Sequence, residues 1–348
     1  MNWTFINMKK TVEYIWIDGT EGHRQVRSKT KVLNSAETPG DWSFDGGSTN
    51  QATLENSDTV LRPVRLYKDP FRKDGDNSIA LCEVLNADLT AHETNTRNEL
   101  ALHCEQSMVK NYKPLIGFEQ EYTLLRPYGP LTTENPTQAY CGVGTSKVQG
   151  RQLAEDHLQA CLYAGIEIYG INAEVLIGQW EFQTAPMDPL KAADDLWTAR
   201  YILERLSEDT DHYYQDAYSI SFSPKPVSDG NGAGCHTNFS THWMRKDIKY
   251  IRRAMEKLEW THNRHIKICG AGNKERLTGT HETSEYDTFS WGDSHRGCSV
   301  RIPNHVILKG KGYLEDRRPA ANCDPYEVAS SLVYTLILEN AMSPSYSC

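Results

Sequence analysis

Acidic residues and one histidine occur in three short segments that are otherwise rich in apolar and small residues, where a lone charge is costly to bury. The first segment, residues 117–122, carries Glu119 and Glu121 two positions apart. If this segment is a strand, both carboxylates project from the same face of the sheet. A single Glu-x-Glu pair is more typical of a solvated sheet face, so the hypothesis of a site depends on the other segments.

The second segment, residues 172–183, carries Glu174 and Glu181. It is interpreted as two short strands joined at Ile177 and Gly178. A two-residue hairpin at that point would place Glu174 directly opposite Glu181, and like charges in that arrangement repel each other. A bound divalent cation would turn the repulsion into ligation, and ligand sets of this oxygen-rich kind suit magnesium or manganese better than zinc.

The third segment, residues 232–240, places His236 after a glycine-rich turn, and residues 276–318 add several arginines. Arginine suits planar carboxylates and phosphates because its fork can bond two oxygens at once. Glu315 and Arg317 alternate, so on a strand they would face the same way, whereas Arg296 and Arg301 need not share a face. A surface run of ion pairs is the alternative for residues 315–318. The combined segments predict a metal-dependent phosphoryl-transfer enzyme.

Length and composition set broad limits on the class of protein. The chain has 348 residues, enough for two domains, and 39% of them are hydrophobic. The formal charge of -9 argues against a general nucleic-acid binder. Nine cysteines without a C-x-x-C pair indicate free thiols in a reducing compartment. The first ten residues make a poor signal peptide and the apolar run 332–338 is too short to span a bilayer, so a cytoplasmic protein is expected.

The elements that must position these residues follow from hydrophobic patterning. Strands are predicted at 13–19, 28–33 and 77–85, with polar loops at 42–49 and 55–63. Helices are predicted at 94–111, 149–164, 188–208 and 243–262, with a last one starting at Asp324. The downstream part of the chain is thus mixed α and β, with the acids clustered on strands.

These segments closely resemble the glutamine synthetase family, in its shorter type II form found in eukaryotes and some bacteria. The resemblance covers nearly the whole chain and includes the runs 14–19, 44–49, 56–58, 69–72, 118–123, 140–144, 172–183, 231–241, 276–283, 301–303 and 312–319. It implies an α+β fold, with a small β-grasp-like domain at residues 1–90 and a catalytic domain at 91–348. The catalytic domain is expected on a curved antiparallel sheet flanked by helices.

The resemblance implies glutamate–ammonia ligase activity in glutamine biosynthesis and nitrogen metabolism. L-glutamate and ammonia would be joined with consumption of ATP through a γ-glutamyl phosphate, with two or more Mg²⁺ or Mn²⁺ ions per site. The implied ligands of the metal near glutamate are Glu121, Glu174 and Glu181. The implied ligands of the metal on the nucleotide phosphates are Glu119, His236 and Glu315.

The resemblance also implies roles for residues that bind substrates. Asn231, Gly232 and Arg276 would bind glutamate, and Arg296 and Arg317 would contact both glutamate and the transferred phosphoryl group. Asp58 would attract ammonium and remove its proton, and Glu282 would close a flap over the acyl phosphate. The residues implied on the nucleotide side are Glu119, Glu181, Asn238, Ser240, Arg296, Arg301 and Tyr313.

The family pattern further implies a homodecamer of two stacked five-membered rings, with each active site shared between neighbouring subunits. Two alternatives stay open: a ligase that joins glutamate to an amine or polyamine, and a catalytically inactive structural member of the fold. An acidic ammonium pocket of Asp58 and Glu282 favours ammonia, and all six ligand positions argue against an inactive protein. The chain departs from the family pattern at Gly47, at 228–231 and at 210–219, without losing a predicted metal ligand.

Overall fold

The computed structural model describes residues 9–126, 129–131, 139–208 and 218–339. The predictions made on residues 1–8 and 210–217 lie outside these ranges. Two sheets, of five and nine strands, form the framework. The strands are β1 (Lys9–Ile17), β2 (Val26–Asn34), β3 (Trp42–Asp45), β4 (Asp58–Lys68), β5 (Ser78–Leu85), β6 (Leu115–Arg126), β7 (Gly129–Pro130), β8 (Ile168–Ala173), β9 (Gln179–Thr184), β10 (Ser219–Ser221), β11 (Cys235–Ser240), β12 (Trp291–Asp293), β13 (Val300–Ile302) and β14 (Leu314–Asp316).

The first sheet has the order β2-β1-β5-β4-β3, in which β1 and β5 are parallel and the other neighbours antiparallel. The strands predicted at 13–19, 28–33 and 77–85 are confirmed as β1, β2 and β5. The prediction of loops at 42–49 and 55–63 is wrong in part, because 42–45 and 58–63 belong to β3 and β4. Aromatic packing explains the first error, since the Phe44 ring lies 4.9 Å from that of Trp16. Pro63 is tolerated in β4 because the ladder shifts register next to it.

The second sheet positions the acids. Its main path is β12-β13-β14-β11-β6-β9-β8, with β7 and β10 paired to β6, and its pairs are antiparallel except β12 with β13. In this register Glu119 lies opposite His236, and Glu121 lies opposite Glu181. Glu315 on β14 pairs with Asn238 on one side and Arg301 on the other. Residues distant in the chain therefore form one continuous row across the sheet.

The predicted two-residue hairpin is wrong. The register places Asn172 opposite Glu181, and Ala173 opposite Trp180. Strand β8 ends before Glu174, and the connection to β9 has five residues, 174–178. Its last residue is Gly178, whose φ is +82°. The backbone N–H of Glu174 donates to the carbonyl of Gln179 at 2.8 Å, closing this wider loop. Glu174 thus reaches the site from a loop rather than from a strand.

Helices cover the sheet on its core side, where one large apolar cluster includes residues of β6, β9, β11 and the longer helices. The prediction at 188–208 is confirmed, with Asp188 as N-cap and Pro189 at the first helical position. The helix predicted at 94–111 is interrupted at Gln106, whose backbone is extended, and the one predicted at 243–262 begins only at Lys249. The longer helices are α1 (Thr96–Glu105), α2 (Ser107–Tyr112), α3 (Arg151–Ala164), α4 (Pro189–Ser207), α5 (Lys249–Trp260), α8 (Asn304–Lys309) and α9 (Pro325–Val333). The short ones are α6 (His262–His265) and α7 (Asn273–Arg276).

Gly165 ends α3 in the left-handed conformation, as predicted for its C-terminal glycine. The helix expected after Asp324 is confirmed as α9, and residues 334–338 continue it as a π-helical turn. Among the described residues, no helix combines the length and apolar character needed to cross a membrane.

Candidate active site

The first cluster in the site is a triad of glutamates: Glu121 on β6, Glu181 on β9 and Glu174 from the loop after β8. One carboxylate oxygen from each lies within 4.8 Å of the others. Burial, with added repulsion among the acids, raises the pKa of Glu174 to about 8 and that of Glu181 to about 9. Burial likewise raises the pKa of Glu121 to about 7, although Arg276 counteracts the shift. The protein alone therefore leaves this triad short of positive charge.

Polar groups nearby fix the orientation of each carboxylate. Glu121 accepts a hydrogen bond from the backbone N–H of Gly234 at 2.7 Å. Asn172 donates to Glu174 at 3.0 Å, and Gln183 donates to Glu181. Sequence reasoning missed the roles of Asn172 and Gln183. A signal was available, because each lies two residues from a predicted ligand within the same short segment.

The second cluster joins Glu119 on β6, His236 on β11 and Glu315 on β14, again with one ligand atom of each within 4.8 Å of the others. His236 Nδ1 lies 3.5 Å from a Glu119 oxygen and 3.8 Å from a Glu315 oxygen. Burial, followed by the charges of Arg317 and Arg276, holds the pKa of His236 well below its usual value. The imidazole is consequently neutral, which is the form that ligates metals.

Both triads fit divalent cations. Five carboxylates and one imidazole form a hard, oxygen-rich donor set of the kind that suits magnesium and manganese. Among the described residues, Glu121, Glu174 and Glu181 form no salt bridge with any lysine or arginine, although all three are largely removed from water. A divalent cation would supply the missing counter-charge, since buried charges are ordinarily paired or bound to metal.

Arginines enclose the second triad. Arg301 donates to one Glu315 oxygen at 2.7 Å, and Arg317 donates to the other at 2.6 Å. The predicted shared face of Glu315 and Arg317 is therefore confirmed. Arg317 also donates to the carbonyl oxygens of Arg296 at 2.9 Å and Glu282 at 3.2 Å, so it ties together the two loops that carry these residues. Arg296 and Glu282 are exposed, and their charges act on His236 and Glu174 respectively.

Arg276 lies buried between the triads, and its guanidinium is held by backbone oxygens. Its Nη2 donates to the Arg317 carbonyl at 3.1 Å and lies 3.1 Å from His236 Nε2. Glycine is required beside it, because a Cβ at Gly234 would come 2.5 Å from Arg276 Nη2. A Cβ at Gly232 would meet the Arg276 side chain at 2.6 Å, so the glycine-rich turn allows the arginine to enter. Asn231 directly precedes this turn.

Four further residues predicted on the nucleotide side, Asn238, Ser240, Arg301 and Tyr313, lie on or directly before strands β11, β13 and β14. Asn238 donates to Glu119 at 2.8 Å, while its side-chain oxygen is buried without a partner. Ser240 accepts a hydrogen bond from Arg245 at 2.8 Å. Burial, followed by the charges of Glu119 and Glu315, raises the pKa of Tyr313 to about 12, which keeps its hydroxyl protonated. Arg301 also has a buried Nε without a partner.

Asp58 is the one predicted catalytic residue that the structure does not bring to the triads. It is exposed at the first position of β4, in the five-stranded sheet, where it pairs with Asp45. Within the described ranges, no hydrogen bond or salt bridge joins Asp58 to any residue of either triad.

A buried support under β6 was not predicted. Gln120 points away from its neighbours Glu119 and Glu121, and its side-chain oxygen accepts two hydrogen bonds from Arg200 at 2.9 and 2.6 Å. Arg200, on α4, also donates to the carbonyl oxygens of Ala321 and Cys323, each at 2.9 Å. The arginine is 2% exposed, and 80 residues separate it from Gln120, so no local pattern could have indicated the pair.

Two triads of possible metal ligands share strand β6 and are flanked by arginines, an arrangement that fits an enzyme of the cation-assisted, anion-binding class. Residues 8–87 match the family model described as the glutamine synthetase beta-Grasp domain, and residues 93–252 match the glutamine synthetase catalytic domain. The chain belongs to the glutamine synthetase family.

Whole-chain relatives agree with this assignment. The chain is 48% identical to glutamine synthetase of Hebeloma cylindrosporum over 344 residues, which cover 95% of this chain and 94% of the relative. It is 47% identical to the Candida glabrata enzyme, with 98% and 93% covered, and 47% identical to that of Gallus gallus, with 93% and 89% covered. The predicted family, its eukaryotic type, the α+β fold with a β-grasp domain and the glutamine synthetase function are thereby confirmed.

Proposed function

We propose that this protein joins L-glutamate to ammonia with consumption of ATP, through an enzyme-bound γ-glutamyl phosphate. The observation that carries the proposal is the shared strand, since β6 contributes Glu119 to one triad and Glu121 to the other. Two cation positions side by side, with arginines at the edge, suit the transfer of a phosphoryl group between two anionic molecules.

The proposed cations are Mg²⁺ or Mn²⁺, with at least two per site. Glu121, Glu174 and Glu181 would hold the ion near glutamate, and the second triad would hold the ion on the nucleotide phosphates. The chemistry that such cations supply when bound is neutralisation of the negative charge on the transferred phosphoryl group. Glu181, which lies opposite Glu121 across the strand pair, is also assigned to the nucleotide side of the site.

The anionic substrates are assigned to the arginines and the glycine-rich turn. Arg276, Asn231 and Gly232 would bind glutamate, because the buried guanidinium lies directly against this turn. Arg296 and Arg317 would orient the γ-phosphoryl group, and Arg317 is fixed for this purpose by Glu315. The remaining nucleotide contacts are assigned to Asn238, Ser240, Arg301 and Tyr313.

Ammonium capture is assigned to Asp58 and Glu282. In the second half-reaction a carboxylate accepts a proton from ammonium. The nitrogen then forms a bond to the γ-carbon of the acyl phosphate, and the bond from that carbon to the phosphate oxygen breaks. The second proton that the nitrogen loses as the amide forms is taken up by the released phosphate. Glu282 has a positive φ of 60°, and its backbone carbonyl accepts a hydrogen bond from Arg317. This turn can therefore hold the Glu282 carboxylate close to the site.

We further propose a homodecamer of two stacked five-membered rings in which Asp58 completes the site of a neighbouring subunit. Two observations support sharing of the site: Asp58 makes no contact with either triad in the described part of its own chain, and Leu54, four residues earlier, is 90% exposed. An exposed apolar side chain on such a loop is suited to contact with another subunit. We also propose a cytoplasmic location, in keeping with eight free cysteines among the described residues.

A coupled assay of ADP release tests the proposal. ADP formation should require glutamate, ammonium and a divalent cation together, and glutamine should accumulate in equal amount. Amines and polyamines offered in place of ammonium should be poor acceptors. Faster turnover with a polyamine than with ammonium would instead assign the protein to the amine ligases, and no turnover with any acceptor would identify an inactive protein.

A further inference from the structure

A cavity lies outside the site, on the surface formed by α2, α5 and the π-helical turn at 334–338. It has a volume of about 440 Å³. Its walls combine aromatic and apolar side chains with two cations, and we call it the α5 groove. The residues that line the α5 groove include Trp243, Met244, Tyr250, Arg253, Lys257 and Leu336.

The aromatic wall of the α5 groove stays open to solvent. The rings of Trp243 and Tyr250 lie 5.9 Å apart, and Trp243 is 40% exposed although it is a large apolar side chain. The ammonium groups of Lys246 and Lys249 lie over these rings, at 5.0 Å from Trp243 and 5.2 Å from Tyr250. The groove therefore offers an apolar surface with positive charge along its edge.

The charge of this surface opposes that of the whole chain. Residues 243–257 contain six Lys and Arg against two Asp and Glu, an excess of four positive charges, while the chain carries -9. Some of this charge is compensated, since Arg252 pairs with Asp293 and Lys249 pairs with Asp247, each at 3.1 Å. Arg253 on the groove wall is different: it is exposed and makes no salt bridge or hydrogen bond to any residue that the structure describes.

Lys257 is held in place at the far side of the groove. Its Nζ donates to the carbonyl oxygen of Leu336 at 3.2 Å, which fixes the ammonium group beside this apolar residue of the groove. Arg253 and Lys257 are four residues apart on α5, so both project from the same face of the helix. An anionic group above the groove could contact both cations.

We propose that the α5 groove is a docking site for an acidic peptide segment of another protein, anchored by one aromatic or large aliphatic side chain. The anchor would pack against the rings of Trp243 and Tyr250, and carboxylates on either side of it would pair with Arg253, Lys257 and Lys246. Charge complementarity favours an acidic segment over a neutral one, and an apolar cavity surrounded by cations is the usual form of such recognition. The inference is independent of the proposed catalytic roles.

The test uses the intact protein and a fluorescein-labelled nonapeptide in which glutamates and aspartates flank one central phenylalanine. Fluorescence anisotropy should report saturable binding that weakens as salt rises, because exposed charge pairs are screened. A peptide with alanine at the centre should bind roughly 10-fold more weakly, since the anchor provides the apolar contact. Absence of binding at about 1 mM, or equal binding of the two peptides, would overturn the proposal.

Matched variants locate the binding. Lys246→Glu and Arg253→Glu should each weaken binding by roughly 10-fold, whereas Lys31→Glu should not. Lys31 is the matched control because its ammonium likewise lies over a tryptophan, 5.2 Å from the ring of Trp42, in the other sheet. All three variants should melt like the unmodified protein and synthesise glutamine at the same rate. Equal weakening of binding by Lys31→Glu would contradict the proposal. So would a competition experiment in which a single-stranded oligonucleotide displaces the labelled peptide at a lower concentration than the unlabelled peptide does.

Discussion

Glu119 and Glu121 lie two residues apart on one strand and face the same side of the sheet, yet each belongs to a different triad. His236 lies opposite Glu119 on one neighbouring strand, and Glu181 lies opposite Glu121 on the other. The spacing of the two cation positions is thus fixed by the repeat of a single strand. A one-residue slip of β6 would turn both carboxylates toward the apolar core.

Replacing Glu181 tests the first triad. Glu181→Ala should reduce glutamine synthesis by roughly 100-fold, because one carboxylate ligand is lost and its neighbours are left misplaced. Stability measured in EDTA should not fall, since the change removes one of three buried acids that repel each other. Steady-state rates and thermal melting check the two expectations. Glu105→Ala is the control, as Glu105 is an exposed glutamate that pairs with Lys110. Near-normal activity of Glu181→Ala at ordinary magnesium concentration would contradict a metal site here.

The raised pKa values predict how stability depends on pH without metal. Glu121, Glu174 and Glu181 have pKa values of about 7, 8 and 9 in the folded protein, above the ordinary value of 4.5. Between pH 4.5 and about pH 9 the folded state binds more protons than the unfolded state. The three glutamates therefore contribute fully to stability below about pH 4.5, and this contribution is lost as the pH rises to about 9.

Melting in EDTA at pH 6 and pH 8.5 measures this loss. Added Mg²⁺ should raise the melting temperature more at pH 8.5, because cation binding requires ionised carboxylates. Glu181→Gln should flatten the dependence in EDTA. A melting temperature that rises with pH over this range in EDTA would contradict the assignment of the acids as an uncompensated cluster.

Sequence patterning predicted much of this arrangement, and its errors have physical causes. The alternation of Glu119 with Glu121 and of Glu315 with Arg317 was sufficient to predict shared faces, because strand geometry is local. The hairpin at Glu174 was mispredicted because turn length depends on the conformation of Gly178, which composition does not determine. Strand β3 was mistaken for a loop because its stability comes from contact of Phe44 with Trp16, which are distant in the chain.

The support of β6 by α4 could not be predicted at all. Gln120 sits between two predicted ligands and was assigned no role, since its partner Arg200 lies on the opposite side of the sheet. The roles of Asp58 and Glu282 were predicted only from the family resemblance, because no local sequence pattern distinguishes these two exposed acids from ordinary turn residues. The sequence was sufficient to predict which ligand residues come together. The structure was needed to identify the buried contacts that hold β6 in register.

Replacing Arg200 tests this support. Arg200→Ala would leave the Gln120 oxygen and the Cys323 carbonyl buried without donors, while the Ala321 carbonyl would keep its hydrogen bond from Gln120 Nε2. The cost should be on the order of 3 kcal/mol. Activity should fall with stability, because β6 carries one ligand of each triad. Denaturant unfolding and steady-state rates measure both. Arg205→Ala on the same helix removes an exposed pair with Glu208 and the contact of its guanidinium with the Phe71 ring, and it should change stability by about 1 kcal/mol or less. An equal effect of the two variants would contradict the role of the buried arginine.

Gly234→Ala tests the access of Arg276 to the site. The added Cβ would lie 2.5 Å from Arg276 Nη2 and 2.8 Å from His236 Nε2, so the arginine must move. The KM for glutamate should rise by roughly 10-fold. Gly170→Ala is the matched control, because nothing lies within 4 Å of a Cβ at that position. Unchanged glutamate kinetics in Gly234→Ala would contradict the assignment of Arg276 to glutamate binding.

The last prediction tests chemistry and assembly together. Asp58→Ala should still phosphorylate glutamate slowly, because the triads and arginines that serve that step are untouched. Turnover with ammonium should fall sharply, since the pocket loses a counter-charge and a proton acceptor. If sites are shared, an oligomer that mixes Asp58→Ala with Glu181→Ala subunits should contain some neighbouring pairs in which an intact Asp58 meets an intact Glu181.

Dissociation and reassembly of the two variants together should therefore restore activity above that of either one alone. Size measurement and mass labelling must first verify that mixed oligomers have formed, because unmixed rings cannot complement. Mixing Glu181→Ala with Glu121→Ala is the control: both changes lie in one triad of one chain, so no pair of subunits can rebuild it. If verified mixed oligomers of Asp58→Ala and Glu181→Ala stay as inactive as this control, each subunit uses its own Asp58. The proposal of a shared site would then be wrong.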